Sequence, residues 1–327
     1  MQRKKIYFYL LVIVPLTLLV AVNTHAFVKG PKQTQQNEVT RKDVIKEKYL
    51  SSLLIKNPSD SLWKINTLPD TATETQLQIA GKAGLVINNK TGSVLFELNS
   101  SEKRPIASLV KIMTALVALE HKSLEDRIVI SEKAASIGEN AMGISAGETY
   151  SLRELLYGML LNSGNDAATA IAEGVAGDLE TFVKWMNMRA TELGLTESYF
   201  ADSCGLNDTS YSTPRDLALL THYALKYDEF KNMVSTVEKE YPYSDEHKYI
   251  YLSNQTNLLT TYPGVKGVKT GYTEEAGLCL VTYATDDGEE VVGVVLNSID
   301  RKGDMVLMLD TAFSKLGVAI SHPLLDF

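Results

Sequence analysis

A long apolar run, a polar stretch, two short apolar runs around a turn, a helical period and a return to short apolar runs follow one another along this chain. Residues 6–22 are apolar except for Pro15 and Thr17, and Arg3, Lys4 and Lys5 precede them. Residues 27–75 are polar and unpatterned, and read as a tether with a short helix around 42–55. From 76 to 327 the pattern is that of one folded domain. Gly84–Ile87 and Ser93–Leu98 flank Asn88-Asn89-Lys90-Thr91-Gly92, which predicts a hairpin. Leu109, Ile112, Met113, Leu116 and Leu119 recur at helical spacing over 108–120 on a helix that is apolar on most sides.

Further helices are predicted by their ends. Ser151-Leu152-Arg153-Glu154 forms a capping box opening a helix to about Asn162, and another runs from Asp166 to about Val175. Asp178 caps one that stops near Gly194, and Thr213-Pro214-Arg215-Asp216 opens the next. Strands return at Val265–Thr270, Gly277–Ala284 and Glu290–Leu296, followed by a helix from about Asp304 to Leu316. Strands, then helices, then strands and a helix predict an α+β domain, an antiparallel sheet packed against a helical cluster.

The amino terminus changes the picture most. A basic start, an apolar run of about 17 residues and Thr24-His25-Ala26 read as an export signal cleaved after Ala26 or as an uncleaved membrane anchor. Either way residues 1–26 are the export segment, the folded part lies outside the cytoplasmic membrane, and the membrane is met only through the amino terminus. Composition adds exclusions. The net charge is −8 with no basic stripe, which argues against a nucleic-acid partner. Five scattered histidines give no metal site. Cys204 and Cys279 show no metal or redox spacing; they read as buried thiols, with a disulfide as the alternative.

Three short motifs carry the candidate chemistry. Ser108-Leu109-Val110-Lys111 places an amine one helical turn from a hydroxyl. A serine is a weak nucleophile without a base, and a lysine serves as one when burial or a neighbouring cation such as Lys269 lowers its pKa. The plain alternative is Ser108 as a helix cap and Lys111 as a solvated charge. Ser163-Gly164-Asn165 lies between two helices, where Ser163 can relay a proton and Asn165 can hold a substrate amide; the alternative is a turn with Asn165 or Asp166 as N-cap. Lys269-Thr270-Gly271 ends a predicted strand, where a cation and a hydroxyl can grip a carboxylate and Gly271 lets substrate backbone approach. The Tyr272 N–H can supply an oxyanion donor beside that of Ser108. Alone, this motif reads as a turn after a strand.

The order of these motifs and their surroundings resemble the low-molecular-weight penicillin-binding proteins, the serine D-Ala-D-Ala carboxypeptidases of peptidase family S11. The matching stretches are Pro105–Ala115, Tyr150–Gly158 running into Ser163–Ala168, and Tyr262–Thr273. The resemblance spans about 77–316. It implies a β-lactamase/transpeptidase-like fold, an acyl-enzyme on Ser108, Lys111 as proton acceptor, Ser163 as second active-site serine and Lys269 in substrate binding. Peptidoglycan stem peptide is then the substrate and β-lactams the inhibitors, with no cofactor. The chain departs from the family where Cys204 replaces a usual histidine.

Rival readings differ in testable ways. Gly143-Ile144-Ser145-Ala146-Gly147 matches a nucleophile elbow, which requires a strand directly before it and a helix directly after. A class A β-lactamase would need a glutamate-positioned water, and no Glu-x-x-Leu-Asn stretch stands between Ser108 and Lys269. A wall-peptide-binding protein without turnover would not need both lysines.

Overall fold

The computed structural model describes residues 43–53, 63–66, 77–256 and 258–322. Apart from Asp43, these belong to the unit Val44–Phe327; the other unit is Met1–Asp43. The export segment expected over 1–26 lies outside the described residues. Among those described, no helix is long and apolar enough to cross a membrane.

The described chain opens with α1 over residues 43–52. The first hairpin is β1 (Ala83–Asn88) and β2 (Val94–Leu98); β3 (Arg104–Pro105) and a 3-10 turn (Ala107–Leu109) lead into α2 (Val110–His121). Then come β4 (Arg127–Val129), α3 (Glu132–Ala135), β5 (Thr149–Ser151), α4 (Leu152–Leu161), α5 (Asn165–Ala176) and α6 (Leu179–Leu193). β6 (Tyr211–Ser212), α7 (Pro214–Ala224) and α8 (Asp228–Val234) precede a second hairpin, β7 (Glu238–Tyr241) and β8 (Ile250–Ser253). The chain continues through α9 (Leu258–Thr261), β9 (Val265–Thr273), β10 (Gly277–Asp286), β11 (Glu289–Ser298) and α10 (Arg301–Lys315).

The main sheet has the order β2-β1-β11-β10-β9, and every pairing is antiparallel. β11 is central and its alternate residues serve two cores. Val292, Val294 and Leu296 enter the core shared with the helices, while Val291 and Val295 pack with Met305 and Leu309 of α10. The sheet therefore lies between α10 and a helical lobe, the α+β architecture expected from the pattern. Within that lobe every residue of α2 is buried, polar ones included.

Local chemistry explains the helix ends. Both halves of the Ser151/Glu154 capping box are present, Asp178 caps α6 through the Thr181 N–H, and Gly194 closes it in left-handed geometry. Three boundaries differ from expectation. Ser108 sits in the 3-10 turn rather than in α2 itself, and the N-cap of α5 is Gly164, not Asn165 or Asp166. β9 runs on to Thr273, because Tyr272 and Thr273 still pair with Leu278 and Gly277; the Lys269-Thr270-Gly271 motif is therefore inside the strand.

Two pieces of the stretch read as a tether are docked. The Tyr49 side chain of α1 is fully buried, its ring 4.7 Å from His121 and 5.9 Å from Trp185, and its hydroxyl donates to Glu192 at 2.7 Å. Trp63 stacks on His222 at 3.8 Å, and Asn66 N–H donates to the Gly92 carbonyl. A few aromatic anchors in a polar stretch are too sparse to register as periodicity. Truncating a buried aromatic ring leaves a cavity, so Tyr49→Ala should lower unfolding free energy by about 3 kcal/mol in urea titrations; an unchanged midpoint would show that the docking carries no stability.

Candidate active site

Ser108 lies on a turn held from both sides. Ala107, just before it, has φ +46, a left-handed conformation uncommon for a residue with a side chain. A Cβ on Gly205 would fall 2.0 Å from the Ala107 carbonyl oxygen, and one on Gly271 3.0 Å from that of Ile106. The turn is therefore wedged between the 202–207 loop and β9, a fit open only to glycine at 205 and tight at 271. Gly271 thus admits the Ser108 turn itself, not only substrate backbone. Ser108 remains half-exposed at the head of α2.

Lys111 is fully buried one turn further on. Its Nζ is 2.8 Å from Ser108 Oγ, 2.8 Å from Asn165 Oδ1 and 2.6 Å from the Cys204 carbonyl oxygen. Three acceptors match the three hydrogens of an ammonium. In the neutral amine, two hydrogens can stay with Asn165 and Cys204 while the lone pair faces the Ser108 O–H. Burial is the main influence on the titration and lowers the pKa to about 8, against the pull of the Asp202, Asp166 and Glu139 carboxylates.

Ser163 follows α4 with φ +58 and is buried. Asn165, the first residue of α5, donates from Nδ2 to the Gly138 carbonyl at 3.3 Å and from its backbone N–H to the Asn140 carbonyl at 2.8 Å. The buried Asp166 carboxylate accepts from the N–H groups of Met142, Gly143 and Ile144 at 2.8, 2.8 and 3.2 Å. The two adjacent residues thus fasten the 138–144 loop to the start of α5.

β9 is an edge strand of the main sheet, paired only with β10. Lys269 is buried and donates to the Thr270 carbonyl at 3.0 Å; burial first, then Lys111 and Arg301, hold its pKa well below that of an ordinary lysine. Thr270 is buried and Tyr272 is 60% exposed. Arg301, at the start of α10, donates to the Gly271 carbonyl at 2.8 Å and the Cys279 carbonyl at 3.4 Å. Ser108, Lys111 and Asn165 are joined by hydrogen bonds, and Gly271 touches the Ser108 turn; Lys111 lowers the pKa of Lys269, whereas the expected lowering of Lys111 comes from its burial.

Known proteins carry the same pattern. Peptidase family S11, D-alanyl-D-alanine carboxypeptidase, matches residues 70–300. The chain belongs to this family. It is 37% identical to the D-alanyl-D-alanine carboxypeptidase DacF of Bacillus subtilis over 76% of its own length and 66% of that protein's. It is 35% identical to the D-alanyl-D-alanine carboxypeptidase of Streptomyces sp. strain K15, covering 76% of this chain and 92% of the relative. The crystal structure of the Streptomyces K15 DD-transpeptidase superposes with a TM-score of 0.70 at 32% identity, over 74% of this chain and 100% of that one.

Several residues of this S11 site are invisible in its motifs. The Cys204 carbonyl, Gly205, Asp166 and Arg301 act through backbone positions or sit far away in sequence, and only Asp166 adjoins a motif. Both thiols are unpaired and buried, pushed up by burial to about 11, which leaves them neutral and unreactive. Ser145 does not stand on an elbow. The loop around it has no strand directly before or helix directly after, and the Lys248 amine holds its hydroxyl at 2.6 Å.

The titration of Lys111 sets a pH dependence. Only the neutral amine can accept a proton, so the acylation rate of Ser108 should rise as pH passes about 8 and level off above it. Stopped-flow acylation across pH 6 to 10 reads this, and a rate that falls through the same window would contradict the geometry.

Proposed function

We propose that this S11 protein removes the terminal D-alanine from peptidoglycan stem peptides through an acyl-enzyme on Ser108, and that β-lactams are trapped on the same residue. The single observation that carries the reading is the fully buried Lys111 amine, 2.8 Å from a half-exposed serine hydroxyl. Lys111 takes the Ser108 proton as Oγ attacks the carbonyl carbon of the penultimate D-alanine. The resulting oxyanion is held by the N–H groups of Ser108 and Tyr272. As the peptide C–N bond breaks, Ser163 relays the proton from Lys111 to the departing amine and free D-alanine leaves. Water then attacks the ester, one proton returns to Ser108, and the shortened peptide is released.

Lys269 and Thr270 hold the substrate's terminal carboxylate in this reading, and Arg301 adds positive charge behind Gly271. Asn165 fixes Lys111 through its side-chain oxygen and contacts the substrate amide. The protein works outside the cytoplasmic membrane, attached or released according to the fate of residues 1–26. The basic residues Arg3, Lys4 and Lys5 favour an amino terminus that stays inside.

Labelling with a fluorescent penicillin should place one adduct on Ser108, and labelling that persists in Ser108→Ala would remove the assignment. Lys111→Arg keeps a charge and a long stem but cannot lose its proton. Its single-turnover acylation should fall roughly 10²–10⁴-fold, the usual contribution of a positioned base. A folded variant acylated near the wild-type rate would leave Lys111 only an electrostatic part.

Carboxylate recognition has its own check. Amidating the substrate's C-terminus deletes a charge-assisted contact worth about 1.5–3 kcal/mol. The kcat/KM for the amide should fall accordingly, and equal turnover of amide and acid would dismiss Lys269 and Thr270 from that role.

A further inference from the structure

The β7–β8 hairpin has two unlike faces. Its strands pair Glu238 with Ser253, Glu240 with Tyr251 and Tyr241 with Ile250. On the inner face Ile250 and Leu252 are buried, and the Tyr241 ring meets the Tyr157 ring of α4 edge-on at 6.4 Å. Tyr249 and Tyr251 are 41% and 46% exposed on the outer face. Tyr243, at the turn, is 79% exposed, and its ring lies 6.2 Å from that of Tyr249. Exposed Glu240 stands beside Tyr249, and exposed Glu238 beside Tyr251.

This row of rings and carboxylates is held at both ends. Ser253 N–H donates to Asn162 Oδ1 at 2.9 Å, and Gln255 Nε2 donates to the Asn162 carbonyl at 3.0 Å. Asn162 directly precedes Ser163, so the inner end of the row adjoins the candidate active site. At the outer end Lys248 reaches Ser145 at 2.6 Å, and the Glu246 carbonyl accepts from the Thr149 N–H at 3.0 Å. With the usual strand rise, Ser253 to Tyr249 spans about 13 Å. A braced aromatic row keeps its rings in place before a ligand arrives, so little ordering is lost on binding. Clustered surface tyrosines of this kind mark binding surfaces.

The chemistry selects the ligand. Flat phenol rings stack on the C–H faces of pyranose sugars, and carboxylates accept hydrogen bonds from sugar hydroxyls and N-acetyl N–H groups. The same carboxylates repel nucleic acid, anionic polymers and acidic membrane surfaces. A stem peptide leaves its sugar chain at the end opposite the scissile bond, so a peptide lying in the cleft must lead to an amino-sugar strand close by. We infer that the outer face of the β7–β8 hairpin binds the N-acetylated glycan strand that carries the stem peptide. The inference rests on the carboxypeptidase reading for its ligand, and on the hairpin alone for its surface.

The test compares two substrates, a soluble stem pentapeptide and the same peptide still attached to uncross-linked glycan strands, by D-alanine release. In Tyr249→Ala/Tyr251→Ala the ratio of kcat/KM for the glycan-linked over the free peptide should fall about tenfold, mainly through KM. Tyr249→Phe/Tyr251→Phe keeps the stacking rings and should hold the ratio near wild type. An unchanged ratio in the alanine variant overturns the inference, including the case in which this face binds a protein instead. Co-sedimentation with peptide-stripped glycan strands tests the surface without catalysis. Wild type should sediment with the strands and the alanine variant should not; equal sedimentation also overturns it. Wild type that releases D-alanine from neither substrate, yet sediments with glycan, would strike the carboxypeptidase reading and leave the surface standing. Should the double alanine variant fail to fold, Tyr251→Ser alone puts the same question with a smaller loss.

Discussion

An amine buried in an apolar helix is the constraint around which this domain is organised. Lys111 has no solvent to hydrate it, and an isolated buried ammonium is among the most expensive groups a fold can contain. Two solutions act together. Acceptors converge on it from Ser108, Asn165 and Cys204, and its pKa drops to about 8 so that the neutral form is accessible. To supply those acceptors, the start of α5 and the 202–207 loop must both reach α2. The helical lobe consequently closes round α2 on all sides.

The second requirement is to join that lobe to the sheet without burying the Ser108 hydroxyl. The turn at Ala107–Leu109 does so by passing between Gly205 and Gly271, with the left-handed Ala107 as its hinge. Close packing on both flanks holds a backbone conformation that an unsupported turn would leave. Ser108 is kept partly exposed while Lys111, one turn on, is sealed. The 138–144 loop is tied down by Asn165 and Asp166, which hold it through its backbone. The geometry of the candidate site is thus maintained largely by contacts to the main chain.

Beneath the site, α2 carries a second buried charge. Glu120 pairs with Arg189 at 2.7 Å and accepts from the Tyr227 hydroxyl at 3.0 Å. Removing one member of such a pair strands the other in low dielectric, whereas the intact pair adds little net stability. Its evident effect is to specify how α2, α6 and the Tyr227 segment meet. Tyr49 of α1 packs beside this region against His121 and Trp185, so residues before the sheet contribute to the lobe that holds the amine.

What the sequence determined by itself is local or periodic. Helical spacing along α2, the Ser151/Glu154 box, the Asp178 cap and the short apolar runs of β10 and β11 all depend on neighbours within a few residues, and all appear in the fold. The i, i+3 contact of Ser108 with Lys111 was legible for the same reason. The weakly patterned 228–253 stretch, with α8 and the β7–β8 hairpin, was not, because its faces are set by α4 and the loops it meets. The other partners of Lys111 lie 54 and 93 residues away, and one is a backbone carbonyl available at any residue type. Arg301 and Gly205 likewise acquire meaning only where the chain returns to the nucleophile turn. Sequence spacing encodes contacts within a turn or along a strand. Which distant carbonyl, carboxylate or glycine closes on a buried amine is decided by tertiary packing, since only there do desolvation and close approach act.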